Sequence, residues 1–287
     1  MWHMAIRGER VDEDVAHAPQ VPLDGRDAAL LLVPLLALTA LYCLPDALVR
    51  PLALSHLNPE PWSFYTAHFV HFSRGHFLND AAAYLLLAPT AYLLFTWADD
   101  RAFFRRAFLT VLLAFPVALS AVGLALPRRV VTYGFSGLAM ALFGLVGVAA
   151  FRYLETCPGD IDLGHAPGLF FAATTAIPLL VLPHTPTAMA LTAASALPTA
   201  YYTRSTVRAL PRDARQSIVH RPGAAELPGF AAFLVLASPF AAFPPNPFAG
   251  AVTVDIFLHF VGFALGFLVP YTALVTRKCA RLSRESG

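Results

Sequence analysis

Between Phe135 and Phe151 the chain runs for seventeen residues without a charge, and Ser136 near its start is followed by Gly137, Gly144 and Gly147. A stretch of this kind can be buried in a large soluble core or can cross a lipid bilayer, where a helix satisfies its own backbone hydrogen bonds. Composition decides between the two. Hydrophobic residues make up 57% of the chain and charged residues 13%, against about a quarter charged in soluble domains. The solvent for most of this chain is lipid.

Apolar stretches at 28–44, 76–97, 103–126, 130–151, 168–182, 186–202, 229–243 and 251–275 are separated by charged or proline-rich segments. The stretch at 186–202 is the weakest, being mostly alanine and threonine with Pro198 inside it. The expected fold is therefore all-α, a polytopic membrane helix bundle of eight spans. Residues 1–27 read as a polar cytoplasmic tail, 28–275 as the transmembrane domain and 276–287 as a basic cytoplasmic tail. Residues 46–75 carry prolines, histidines and the aromatics Trp62, Phe64 and Tyr65, the composition of a segment that lies at the interface.

Charge tests this arrangement. With the N-terminus inside, sixteen basic residues fall on the inner side and four, Arg50, Arg74, Arg128 and Arg129, on the outer side. That is the asymmetry of the positive-inside rule. The chain has a formal net charge of +2, and its arginines are scattered between apolar runs, so no nucleic-acid partner is expected. Arg204, Arg208, Arg212, Arg215 and Arg221 form a basic loop suited to anionic lipid head groups. Cys43, Cys157 and Cys279 are odd in number and far apart, which suggests free thiols rather than a disulfide framework. The absence of a leader pattern favours a prokaryotic plasma membrane.

Two polar residues inside apolar spans then draw attention. A serine hydroxyl in lipid needs a partner, and neighbouring glycines let another helix approach closely enough to supply one. His259 is followed by glycines at the third and seventh positions, Gly262 and Gly266, which lie on one face of a helix. That strip fits the serine helix with its own Gly134, Gly137 and Gly144. Ser136 lies about six residues into its run and His259 about eight into its own, which puts both roughly 9–12 Å deep if the runs are helical throughout. An intramembrane histidine is a functional candidate by default. Leu138 stands where a soluble hydrolase elbow, Gly-x-Ser-x-Gly, would need its final glycine.

The second span opens with His68, His71 and His76, followed by Asn79 and Asp80. His76 and Asp80 are four apart and share a helix face, with Tyr84 one turn further. Three readings stay open: a metal site, interfacial packing, or a polar pocket whose donors hold a negatively charged tetrahedral oxygen. Spacings of three and five, without a helical His-x-x-x-His pair, do not favour metal. No metal or other cofactor is expected.

Taken together, three motifs resemble the rhomboid intramembrane serine proteases: His71-Phe72-Ser73-Arg74-Gly75-His76-Phe77-Leu78-Asn79-Asp80, then Gly134-Phe135-Ser136-Gly137, then His259-Phe260-Val261-Gly262-Phe263-Ala264-Leu265-Gly266. The resemblance implies a six-helix core carrying two extra helices, with 229–243 the preferred fifth core helix. It implies Ser136 as nucleophile, His259 as general base, and an oxyanion hole formed by the Ser136 backbone amide and His76. The substrates would be transmembrane helices of other proteins. Asp80 stands where the family usually has asparagine: ionised it would repel an oxyanion, protonated it could donate to one. Met140 replaces the aromatic residue that often stacks on the histidine, and Trp62-Ser63 replaces a Trp-Arg pair in the first loop. Two rival readings are a rhomboid-like protein that binds transmembrane segments without cutting them, and a transporter lined by His68, His71, His76 and His259.

Overall fold

Helices that cross in lipid gain nothing from the hydrophobic effect against each other, so they are held by close packing and by polar contacts. Both devices organise this chain. The computed structural model describes residues 23–157, 159–181, 185–210, 225–243 and 254–285. Its helices are α1 (Gly25–Tyr42), α2 (Arg74–Trp97), α3 (Arg101–Leu113), α4 (Phe115–Leu124), α5 (Ser136–Leu154), α6 (Pro167–Val181), α7 (Pro186–Ala209), α8 (Glu226–Ala242) and α9 (Ile256–Glu285). α3 and α4 are one span bent at Ala114, where Pro116 cannot donate the backbone hydrogen bond that would continue the helix.

The protein is an all-α, multi-pass membrane helix bundle. Among the described residues six helical segments are long and apolar enough to cross a bilayer. α7 is long but too polar, and α8 is apolar but has 17 residues. Eight helical segments stand where eight spans were expected, and six of them are long and apolar enough to cross. Leu36, Leu113, Phe233 and Phe240 point outward and are exposed, as expected of a surface that meets lipid.

The tightest contact in the bundle is between α5 and α9. A Cβ at Gly262 would overlap the carbonyl of Gly137, and one at Gly266 would overlap the carbonyl of Ala141. From the other side, a Cβ at Gly144 would lie 2.5 Å from the Phe263 carbonyl oxygen and the Phe267 nitrogen. The two backbones touch, and no residue with a side chain fits at these positions. Gly137 contributes its carbonyl; its own missing side chain faces Leu119. Gly134 is a correction to the sequence reading: it precedes the helix and packs no helix pair.

α8 lies against α5 and also reaches α2, while α6 and α7 pair with each other and α6 packs against α8 and, through Phe170, on Phe263 and Phe267 of α9. α8 thus packs beside the serine helix, α6 also reaches the core, and α7 lies outermost with most of its side chains exposed. The segment between α1 and α2 does not cross. It is built of short turns and of strand β1 (Leu54–Ser55), which pairs antiparallel with β2 (Val131–Thr132), matching Leu54 with Thr132 and Ser55 with Val131.

One end of the bundle is ionic. Asp100, in the α2–α3 turn, accepts from Arg152 at the end of α5 at 3.1 Å and from Arg277 of α9 at 3.0 Å. Burial would raise the Asp100 pKa, but the two guanidinium groups hold it below the ordinary carboxylate value. Asp27 at the start of α1 accepts from Tyr92 and pairs with Arg101 and Arg105. The segments assigned to one side by the charge count do meet at one end. α9 continues unbroken through the expected 276–287 tail as far as Glu285. Residues 1–22, Arg212, Arg215, Arg221 and the first residues of the expected last span, 251–253, lie outside the described residues.

Gly266→Val should force a side chain into the Ala141 backbone and cost at least about 1–3 kcal/mol, seen as a lower thermal midpoint in detergent. Gly229→Ala, where nothing lies within 4 Å of the added carbon, should leave the midpoint unchanged or raise it. Equal midpoints for the two variants would contradict the packing account.

Candidate functional site

At the end of the bundle opposite the ionic cluster, α5 and α9 each carry a candidate side chain in their first turn. Ser136 is the first residue of α5 and His259 the fourth of α9. The depth estimate from the sequence assumed helix from Val130 onward, but 130–135 is extended or turning and includes β2. The two side chains are level for a different reason: both occupy the first turn of glycine-packed helices.

The turn into α5 is closely fixed. Gly134 has φ +108, a conformation that disfavours any L side chain, and a Cβ there would also overlap the His76 ring. Its N–H donates to the Ala67 carbonyl at 2.9 Å, and the β1–β2 pair anchors the preceding residues. Phe135 is fully buried against Phe69 and Tyr84. Tyr84 in turn donates to the Leu31 carbonyl at 2.6 Å. The chain has little freedom where it delivers Ser136.

His259 is buried, with both ring nitrogens engaged. Nδ1 lies 2.8 Å from the Ala242 carbonyl oxygen, and Nε2 lies 2.8 Å from Ser136 Oγ. A carbonyl can only accept, so the neutral ring carries its proton on Nδ1. Nε2 is then a lone pair, and the Ser136 hydroxyl donates to it. Phe243, fully buried, meets the ring edge-on at 6.0 Å between centroids. The aromatic partner that Met140 does not provide is supplied by the end of α8. Asp255 fixes the entry to α9 by accepting the Leu258 N–H at 3.1 Å, and pairs with Arg128 at 2.7 Å.

α2 brings up the third component. The Ser73 side chain caps the helix by accepting the His76 N–H at 3.3 Å. Asp80 is buried, and its Oδ2 lies 2.8 Å from His71 Nε2 and 3.3 Å from His76 Nε2. Asp80 Oδ2 thus bridges the two rings, and His71 Nε2 also faces the Phe135 N–H at 3.5 Å. Asn79 is exposed at the rim. His68 leaves the group: it donates to Ser120 Oγ at 3.0 Å, and that hydroxyl donates to the Phe64 carbonyl. Burial pushes the His68 pKa down to about 4, so the ring is a neutral structural link.

Ser136, His259, His76 and Asp80 all line one cavity of about 990 Å³, together with Arg128 and Met140. A serine hydroxyl bonded to an oriented histidine, a second histidine and a carboxylate are thus assembled around one open space. The first backbone N–H groups of a helix have no intrahelical acceptor, and Ser136, as the first residue of α5, carries one of them beside its own hydroxyl. The chemistry such a set supports is acyl transfer through a serine.

The structure also brings in groups that sequence reasoning did not assign. The Ala242 carbonyl has no residue-type signal, and Phe243 follows it at the end of an apolar stretch. Asp255, four residues before His259, carries a readable helix-start signal; Arg128 does not. No family model, no curated protein and no solved structure compared with the chain matches it.

Gly134→Ala should be disabling out of proportion to its size, because it combines backbone strain of order 1–3 kcal/mol with displacement of His76. The expected result is a lower melting temperature together with loss of Ser136 reactivity toward a fluorophosphonate. Unchanged reactivity would show that the turn does not position the site.

Proposed function

We propose that the protein is a rhomboid-type intramembrane serine protease that hydrolyses peptide bonds of transmembrane segments. The single observation that carries this reading is the Ser136–His259 hydrogen bond of 2.8 Å, with the histidine tautomer fixed from behind by Ala242. A serine alone is a weak nucleophile, and a base held in this tautomer activates it. The lipid-exposed bundle around a large, mainly apolar cavity with a few polar groups supports a substrate that is itself a membrane helix, entering from the bilayer and cut where it unwinds into the cavity.

In the first half-reaction Ser136 Oγ attacks the scissile carbonyl carbon while its proton passes to His259 Nε2. The carbonyl oxygen becomes an oxyanion, which the Ser136 backbone N–H stabilises together with the ring N–H of His76. In the resting site that His76 N–H faces Asp80 at 3.3 Å; the oxyanion takes it up as it forms. The imidazolium of His259 returns the proton to the leaving amine, the C–N bond breaks, and an acyl-serine remains. Water from the cavity then attacks the ester, with His259 again removing and returning a proton. Asp80 acts as a positioning residue, holding the His76 ring against Gly134 between turnovers.

A second reading rests on the same contact. If Asp80 keeps the His76 donor permanently occupied, the site binds transmembrane segments without cutting them. A transport role has less support, since His68 is tied into a structural hydrogen bond and the cavity-lining Asp80 and Asp255 are each paired.

A fluorophosphonate probe applied to purified protein should label the wild type. Labelling should be abolished in Ser136→Ala and fall at least about 1,000-fold in rate in His259→Ala. Silence of the folded wild type would count against proteolysis, and labelling recovered by Asp80→Asn would then assign the chain to the non-cutting class.

A further inference from the structure

The set of His71, His76 and Asp80 has a geometry that a supporting hydrogen-bond network does not require. One donor atom from each lies within 4.8 Å of the other two. Asp80 Oδ2 stands 2.8 Å from His71 Nε2 and 3.3 Å from His76 Nε2, while the ligands of a tetrahedral zinc ion are about 3.3 Å apart. An ion would enter by widening the 2.8 Å contact and displacing the 3.5 Å approach of the Phe135 N–H to the buried His71 Nε2. The rings meet edge to face at 4.8 Å between centroids, so the two Nε2 atoms approach Asp80 from different directions rather than stacking side by side.

The remaining nitrogens give a second observation. His71 Nδ1 and His76 Nδ1 are both buried without a partner among the described residues. Each ring is oriented through the one nitrogen that faces Asp80, and its other edge is left uncommitted. A neutral ring can move its proton from Nε2 to Nδ1 at no change in charge, which frees the Nε2 lone pair toward the carboxylate. His76 and Asp80 line the large cavity, which provides an entry path, and His71 closes the site from the buried side.

We propose that His71 Nε2, His76 Nε2 and Asp80 Oδ2 form a site for a divalent transition-metal ion of the zinc class, with its fourth position open to the cavity. Two imidazoles and a carboxylate suit zinc and its neighbours better than magnesium or calcium, which prefer all-oxygen sets. No acceptor stands behind either Nδ1, whereas resident metal ligands usually have one. The ion is therefore exchangeable and acts as a switch rather than as a structural part. When bound it takes the His76 nitrogen that the oxyanion would use, and so turns the serine off. The binding site is independent of the proteolytic reading; only this last effect rests on it.

The test uses untagged Ser136→Ala protein in detergent, titrated with Zn²⁺ by calorimetry and with Co²⁺ by visible absorption. The expected result is one ion per chain, with affinity at least 10-fold weaker in both Asp80→Asn and His71→Ala and unchanged in His259→Ala. Thermal melts confirm that each variant is folded. In wild-type protein Zn²⁺ should suppress fluorophosphonate labelling, and a chelator should restore it. Absence of binding, or binding undiminished in both Asp80→Asn and His71→Ala, would overturn the site. Binding as expected with labelling indifferent to Zn²⁺ would overturn the switch and leave the site. Binding as expected in a wild type that never labels would support the site while removing the proteolytic reading.

Discussion

The structure depends on the backbone contact between α5 and α9. Gly144, Gly262 and Gly266 remove the side chains that would hold these helices apart. In lipid, where apolar side chains have no preference for each other over solvent, such a contact must be made by shape. Its functional effect is to set two helix first turns side by side, Ser136 on one and His259 on the other. A side chain added at any of the three glycines would separate the helices before it altered any polar group.

What surrounds that contact fixes orientation. The end of α8 supplies both the Ala242 carbonyl and the Phe243 ring to His259, so an apolar helix of only 17 residues determines which nitrogen faces the serine. The turn at Gly134 does the same for Ser136. α2 adds a buried carboxylate flanked by two imidazoles, which at once steadies His76 and creates the one cluster of metal-binding chemistry among the described residues. The ionic end of the bundle, centred on Asp100, keeps the far ends of α5 and α9 together and so supports the glycine contact at a distance.

Much of this was legible in the sequence, and the limits have physical reasons. The apolar stretches and the charge asymmetry gave the helices and their grouping at two ends, because lipid leaves few alternatives. The glycine spacing of α9 was readable because helical periodicity places Gly262 and Gly266 on one face. Gly134 was misplaced because a positive φ leaves no trace in an apolar pattern. The depth of Ser136 was derived from a helix that starts six residues later than assumed, since an extended segment such as Val131–Thr132 and a helix of the same composition look alike. The pairing of His76 with Asp80 follows from i, i+4 spacing, whereas His71 reaches the same carboxylate from a loop, a contact that only tertiary structure reveals. The Ala242 carbonyl was unreadable because every residue has one.

The most direct test of the account is a structure of the protein after reaction with a small fluorophosphonate in lipid. The account predicts phosphorus bonded to Ser136 Oγ, a phosphoryl oxygen within hydrogen-bond reach of the Ser136 N–H and the His76 ring, and His259 Nδ1 still on the Ala242 carbonyl. Phosphorus on another residue, or a His259 ring turned away from both Ser136 and Ala242, would contradict it.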